Sequence, residues 1–187
     1  MLATASPQIR TVATVMLETG ARPISECLQL RWDDVDLVND FIQIRESKTG
    51  AGIRKVPLSS RCKIELLRWR EHVGVGFSRY VFPNMSTPDR PLKDIRRSWS
   101  KALKDAKLTP FWIYNLRHTF ASRLSAAGVP DVFVAQLMGH STPSILHTCA
   151  KVIDQYRSDA IRRLEELRTA QSQMSKIPST DPQPLVN

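Results

Sequence analysis

The chain has 187 residues, 42% of them hydrophobic and 24% charged, which is one domain's worth of sequence with enough apolar content to bury a core. Its 27 Lys and Arg outnumber 18 Asp and Glu for a formal net charge of +9, and such an excess favours a polyanionic partner, because each neutralised phosphate releases condensed counterions. Cys27, Cys62 and Cys149 are far apart with no Cys-x-x-Cys spacing, which argues against a disulfide framework or zinc site and fits a reducing cytosol; no apolar run is long enough to span a bilayer, no signal peptide is visible at Met1, and cytoplasm is the default location.

Pro7 to Glu18 carries Ile9, Val12, Val15, Met16 and Leu17 at helical spacing and is ended by Gly20. Pro23 suits the first turn of a second helix, predicted to run to about Trp32. Asp33 to Asp36 reads as a turn. Phe41 to Arg45 alternates like a strand, with Ile53 to Leu58 as its partner and a glycine-bearing hairpin turn, Ser47 to Gly52, between them. Ser60 to about Val73 is predicted helical with Ile64, Leu66 and Leu67 on one side. Leu92 to Ala106 is a basic helix carrying Lys93, Arg96, Arg97, Lys101 and Lys104. Asn115 can cap a helix ending at Gly128, and Pro130 opens another that stops by Gly139. A long helix over about Val152 to Thr169 has Val152, Tyr156, Ala160 and Leu164 as its apolar stripe, and residues 170–187, rich in Ser, Gln and Pro, read as a disordered tail. The expected fold class is α+β, mainly helical, with a small antiparallel sheet over residues 1–169. Trp32, Trp69, Trp99 and Trp112 fall one per segment, like core residues rather than a stacking platform for RNA bases.

Within this frame lie Thr19-Gly20-Ala21-Arg22, Lys48 in a Lys-Thr-Gly turn, Asn115-Leu116-Arg117-His118 at a helix start and Met138-Gly139-His140. Taken alone, each arginine reads as a surface salt-bridge residue and Lys48 as a solvated turn lysine. Their order, Arg, Lys, Arg, His and then a nucleophile slot, resembles the catalytic domain of the tyrosine recombinases, the phage integrase family, from about residue 8 to about residue 166. Such enzymes break and rejoin DNA strands through a covalent 3′-phosphotyrosyl intermediate, with no metal and no cofactor. The resemblance implies Arg22 and Arg117 as a phosphate clamp, His140 as a phosphate hydrogen-bond donor and Lys48 as the general acid for the leaving 5′ oxygen. A guanidinium fork reaches two phosphate oxygens at fixed charge, and a lysine beside another cation can have its pKa lowered toward proton transfer. It further implies double-stranded DNA as partner and a homo-tetramer on DNA. Relatives also carry an N-terminal core-binding domain, which is expected to be absent here because catalytic-domain sequence begins almost at once. His118 is expected to be structural, and His72 a surface residue.

Two positions depart from the family pattern. Three residues before Arg117, where relatives have histidine, stands Tyr114; its hydroxyl can donate to phosphate but is a poor proton acceptor near neutral pH. Nine residues beyond His140, at the tyrosine nucleophile's slot, stands Cys149. Sulfur attacks phosphorus poorly, and the thiol lies nearer the backbone than a phenol oxygen, so Cys149 is expected to be inactive or nearly so. The catalytic set is therefore Arg22, Lys48, Tyr114, Arg117, His140 and Cys149, in a domain for site-specific DNA recombination or integration. A non-catalytic recombinase derivative that binds DNA, as a competitor or as an assembly partner, stays open as the alternative.

Overall fold

The computed structural model describes residues 4–45 and 52–140. Lys48, Cys149, the helix expected over 152–169 and the tail from 170 lie outside the described residues.

Helix α1, Pro7–Thr19, starts where the Ser6 hydroxyl accepts from the Ile9 N–H at 3.5 Å and Pro7 supplies a preset φ. Ile9, Val12, Val15 and Met16 turn inward. It ends at Gly20, whose φ of 64° lets its N–H return to the Met16 carbonyl. A Cβ on Gly20 would lie 2.4 Å from Phe120 Cδ1, so the glycine also sets how closely a later helix approaches.

The helix expected from Pro23 to Trp32 is one π-helical turn, Pro23–Cys27. The Cys27 N–H bonds the Arg22 carbonyl at 2.8 Å and the Leu28 N–H bonds Pro23 O at 3.0 Å. The wide turn brings the Glu26 carboxylate back onto the Arg22 N–H, at 2.9 Å, a local bond that competes with regular α-helix. Cys27 is buried, as expected of a small apolar side chain. The Asp-rich stretch is a 3-10 turn, Trp32–Asp34, in which the Asp34 carboxylate accepts from the Arg31 N–H at 3.1 Å, followed by strand β1, Val35–Asp36.

Strands β2, Phe41–Ile44, and β3, Arg54–Pro57, pair antiparallel, and the sheet order is β1-β2-β3. The register sets Ile42 opposite Val56 and Ile44 opposite Arg54. Ile42, Ile44 and Val56 face the core, and strand alternation puts Arg54 on that inner face with them.

Helix α2, Ser60–Val73, is capped by the Ser59 hydroxyl, which accepts from the Cys62 N–H at 3.2 Å. Its inward stripe is Cys62, Glu65, Leu66 and Trp69, while Ile64 and Leu67 are exposed, contrary to the sequence expectation for that pair. Glu65 can sit inside because Arg10 Nε donates to it at 2.8 Å and the Thr11 hydroxyl at 2.9 Å, joining α1 to α2. A second two-stranded sheet, β4 (Pro83–Asn84) with β5 (Thr87–Pro91), carries no strong alternation and went unread in the sequence.

Helix α3, Arg96–Asp105, begins later than Leu92, since Asp94 accepts from the Arg96 N–H at 2.9 Å. Trp99, Ala102 and Leu103 face inward; Arg97, Lys101 and Lys104 are exposed. Helix α4, Asn115–Ala126, has Tyr114 rather than Asn115 at its N-cap, with no capping side chain. Helix α5, Asp131–Met138, ends at Gly139 with φ 64°. One core joins α1, the three-stranded sheet, α2, α3 and the start of α4. Trp69 and Trp99 are part of it and Trp32 packs against it, but Trp112 is 79% exposed, unlike the core residue expected. No helix among the described residues is long and apolar enough to cross a membrane.

Gly20→Ala must hold a strained positive φ and displace the Phe120 ring. Equilibrium urea unfolding should show a loss of about 2–4 kcal/mol. An unchanged midpoint would mean that α1 and α4 do not meet here.

Candidate functional site

Four segments distant in sequence meet at one carboxylate. The π turn supplies Glu26 and, at its N-cap, Arg22; β3 supplies Arg54; the first turn of α4 supplies Arg117; the end of α5 supplies Gly139 and His140. The Glu26 side chain has no exposed surface. It accepts from the Arg22 N–H, from Arg22 Nη1, and from Arg54 Nη1 at 3.3 Å and Nη2 at 3.0 Å, with Arg117 Nη1 at 3.9 Å. Burial alone would raise its pKa; the Arg54 hydrogen bond and charge, then those of Arg22, overturn that and hold it below the ordinary value, so Glu26 is ionised.

Arg117 is wholly buried. Nη1 donates to the Gly20 carbonyl and Nη2 to the Met138 carbonyl, tying the ends of α1 and α5 to the start of α4. Nη2 also meets His140 Nε2 at 3.0 Å. Desolvation and the neighbouring Arg22 lower the Arg117 pKa to about 10, which still leaves it protonated at neutral pH. Arg22 keeps 27% of its side chain exposed, and its Nη2 donates to the Gly139 carbonyl at 3.1 Å.

Desolvation first, then the charges of Arg117, Arg22 and Arg54, push the His140 pKa down to about 4. The imidazole is therefore neutral at pH 7. Because a guanidinium only donates, Nε2 accepts and the single proton resides on Nδ1. That Nδ1 is buried with no hydrogen-bond partner among the described residues, and so is Arg117 Nε. Two unsatisfied donors thus share one site beside three guanidiniums and one carboxylate, an arrangement suited to an anion with several oxygens.

Among the expected residues, Arg22, Arg117 and His140 are brought together. Tyr114 is 39% exposed at the α4 N-cap, close enough to Arg117 to interact electrostatically, and its ring meets His118 edge-on at 5.3 Å. His72 is exposed and stacks on Trp69. Lys48 and Cys149 lie outside the described residues. The backbone N–H groups of Arg22 and Arg117 are taken by Glu26 and by the Tyr114 carbonyl, so neither is open to an anion. Sequence reasoning missed Glu26 and Arg54. The first signals itself as an acid four residues after Arg22, the second as a charge at an inward strand position. No group of three or more His, Cys, Asp or Glu among the described residues could hold a metal ion.

The sequence model of the phage integrase family matches residues 2–154, and the chain belongs to that family. It is 29% identical over 156 residues to the ICEBs1 integrase of Bacillus subtilis, covering 71% of this chain and 42% of that protein. It is 30% identical over 143 residues to a tyrosine recombinase of Pseudothermotoga lettingae, covering 75% of this chain and 49% of that one. The chain thus spans about half the length of the curated relatives it matches. Its fold, α+β with small antiparallel sheets, matches the crystal structure of XerA recombinase, with a TM-score of 0.70 at 21% identity over 87% of this chain and 58% of that one. It also matches the Tn1549 transposon integrase in complex with circular intermediate DNA, with a TM-score of 0.65 at 21% identity over 82% of this chain and 59% of that one.

An imidazole whose folded pKa lies below its unfolded value binds fewer protons folded than unfolded in the interval between them. The stability that His140 retains above pH 6.5 should therefore fall as pH drops toward about 4. An NMR titration should place its midpoint near 4, and His140→Gln should flatten that part of the stability profile. A midpoint near 6.5 would contradict the cationic surroundings.

Proposed function

We propose that the chain is a DNA-phosphate-binding recombinase domain, acting in site-specific recombination or integration. The two buried, unpaired donors, Arg117 Nε and His140 Nδ1, carry this reading, set as they are beside the part-exposed guanidinium of Arg22. Each would gain a partner if a phosphate oxygen entered, and the site's positive charge would oppose that of a pentavalent phosphorane. Arg22 is the entry point. Arg117 is reached by exchange with the Gly20 or Met138 carbonyl it now holds.

In this reading a nucleophile attacks the scissile phosphorus in line, the 5′ oxygen leaves with a proton from Lys48, and Arg22, Arg117 and His140 hold the charge that accumulates on the non-bridging oxygens. Tyr114 can add one hydroxyl donor. The exposed face of α3 offers Arg97 and Lys104, which pair with no acid among the described residues, as further contacts to the DNA backbone. Double-stranded DNA is the proposed substrate, with the chain acting in a homo-tetramer and in the cytoplasm. No cofactor enters the proposed reaction. The solved relatives in complex with DNA support this choice of partner.

Cys149 favours a second reading, a DNA-binding derivative that competes with or assembles into active recombinases without cutting. Cysteine at that slot leaves phosphate binding intact and removes the phenol that forms the covalent bond. The two readings separate on the wild-type chain with a nicked suicide duplex carrying a cognate site: covalent product from the unaltered chain supports the recombinase, and its absence supports the non-catalytic derivative. Under either reading Cys149→Tyr should raise covalent protein–DNA product by on the order of a hundredfold or more. Absence of adduct from the folded variant would mean that more than the nucleophile is missing. Arg22→Ala should weaken DNA binding and lower the slope of log affinity against log salt by about one. Identical titrations at every salt concentration would remove Arg22 from the phosphate site.

A further inference from the structure

Arg54 has no part in the chemistry above, yet its guanidinium is used up inside the protein. Nε donates to the Leu137 carbonyl at 2.6 Å. Nη1 donates to the Gly52 carbonyl at 2.8 Å and to Glu26 Oε1 at 3.3 Å, and Nη2 to Glu26 Oε2 at 3.0 Å. The side chain is 7% exposed. Its acceptors belong to the last turn of α5, just before Gly139 and His140; to the chain a few residues beyond Lys48; and to the π turn that starts at Arg22. The approach is close. A Cβ on Gly139 would lie 2.7 Å from Arg54 Nη1 and 2.9 Å from Gly52 Cα, so a glycine is needed where these backbones meet.

We propose that Arg54 is a positioning residue of the phosphate site. It fixes Glu26, and through Glu26 the Arg22 guanidinium, relative to Gly52 and to the α5 end that carries His140, without itself touching DNA. This rests on the reading of the site as one for a DNA phosphate. The geometry demands arginine in particular. A planar fork reaches two carbonyls and both oxygens of one carboxylate at once, whereas an ammonium is a point charge that cannot span them.

The test is DNA affinity against salt concentration, using a duplex that the wild-type chain binds. Arg54→Lys keeps the charge and loses the span. Affinity should fall about tenfold, the size of loss typical when an outer hydrogen-bond partner of a binding group is removed. The salt slope should stay at its wild-type value, because no phosphate contact disappears. Arg22→Ala, by contrast, lowers the slope. A drop of about one in the Arg54→Lys slope would make Arg54 a direct phosphate ligand and overturn the proposal. Wild-type affinity in a folded Arg54→Lys would overturn it equally. Should that variant fail to fold, Arg54→Gln removes the fork while Glu26 keeps Arg22 as its ionic partner; this variant should fold, bind more weakly and keep the slope, and unchanged affinity would again overturn the inference. A wild-type chain whose DNA binding ignores salt would instead sink the phosphate reading on which the proposal stands.

Discussion

A single ionised carboxylate, sealed from water among three guanidiniums, decides where the rest of the site can be. Among the described residues Glu26 is the sole acid in the cluster of Arg22, Arg54 and Arg117, and those arginines arrive on different elements. An unpaired buried carboxylate would be strongly disfavoured, as would three close cations without it, so neither side of the arrangement is stable without the other. The backbone follows this constraint. The chain leaves α1 through Gly20, widens into a π turn that folds Glu26 back, and lets β3 place a charged residue at an inward position.

The cations are matched only in part. One carboxylate faces three arginines, and burial first, with that surplus of cations behind it, depresses the His140 pKa and leaves Arg117 at about 10. The cluster as a whole therefore keeps a net positive charge. The neutral imidazole follows from burial and the same field, and with Nε2 turned to Arg117 its proton must sit on Nδ1, where it has no partner among the described residues. Structural roles and those proposed for phosphate binding are therefore not separable residue by residue. Arg117 both ties three helix ends together and keeps one donor unpaired.

Much of this was legible in the sequence and some was not, for identifiable reasons. Helix α1 announces itself through Ser6, Pro7, an apolar period and Gly20, and β2 with β3 through alternation, because those signals are local. Arg22, Arg117 and His140 were found by order and motif, not by any property of each residue alone. The stretch after Pro23 was misread as a regular helix because its departure depends on a side chain returning to the Arg22 N–H. The inward face of α2 was misplaced because Glu65 counts as polar in a sequence but is buried once Arg10 and Thr11 satisfy it. Glu26 and Arg54 were overlooked for the same reason: their partners lie in other segments, and a buried ion pair looks from the sequence like two surface charges.

Glu26→Gln keeps the shape of the carboxylate and removes its charge, so it isolates the constraint from packing. Equilibrium denaturation at neutral pH should show a loss of about 3–5 kcal/mol relative to the wild-type chain, as expected when one partner leaves a buried ionic cluster. A loss below about 1 kcal/mol, with the variant folded, would contradict the view that this carboxylate holds the arginines in place.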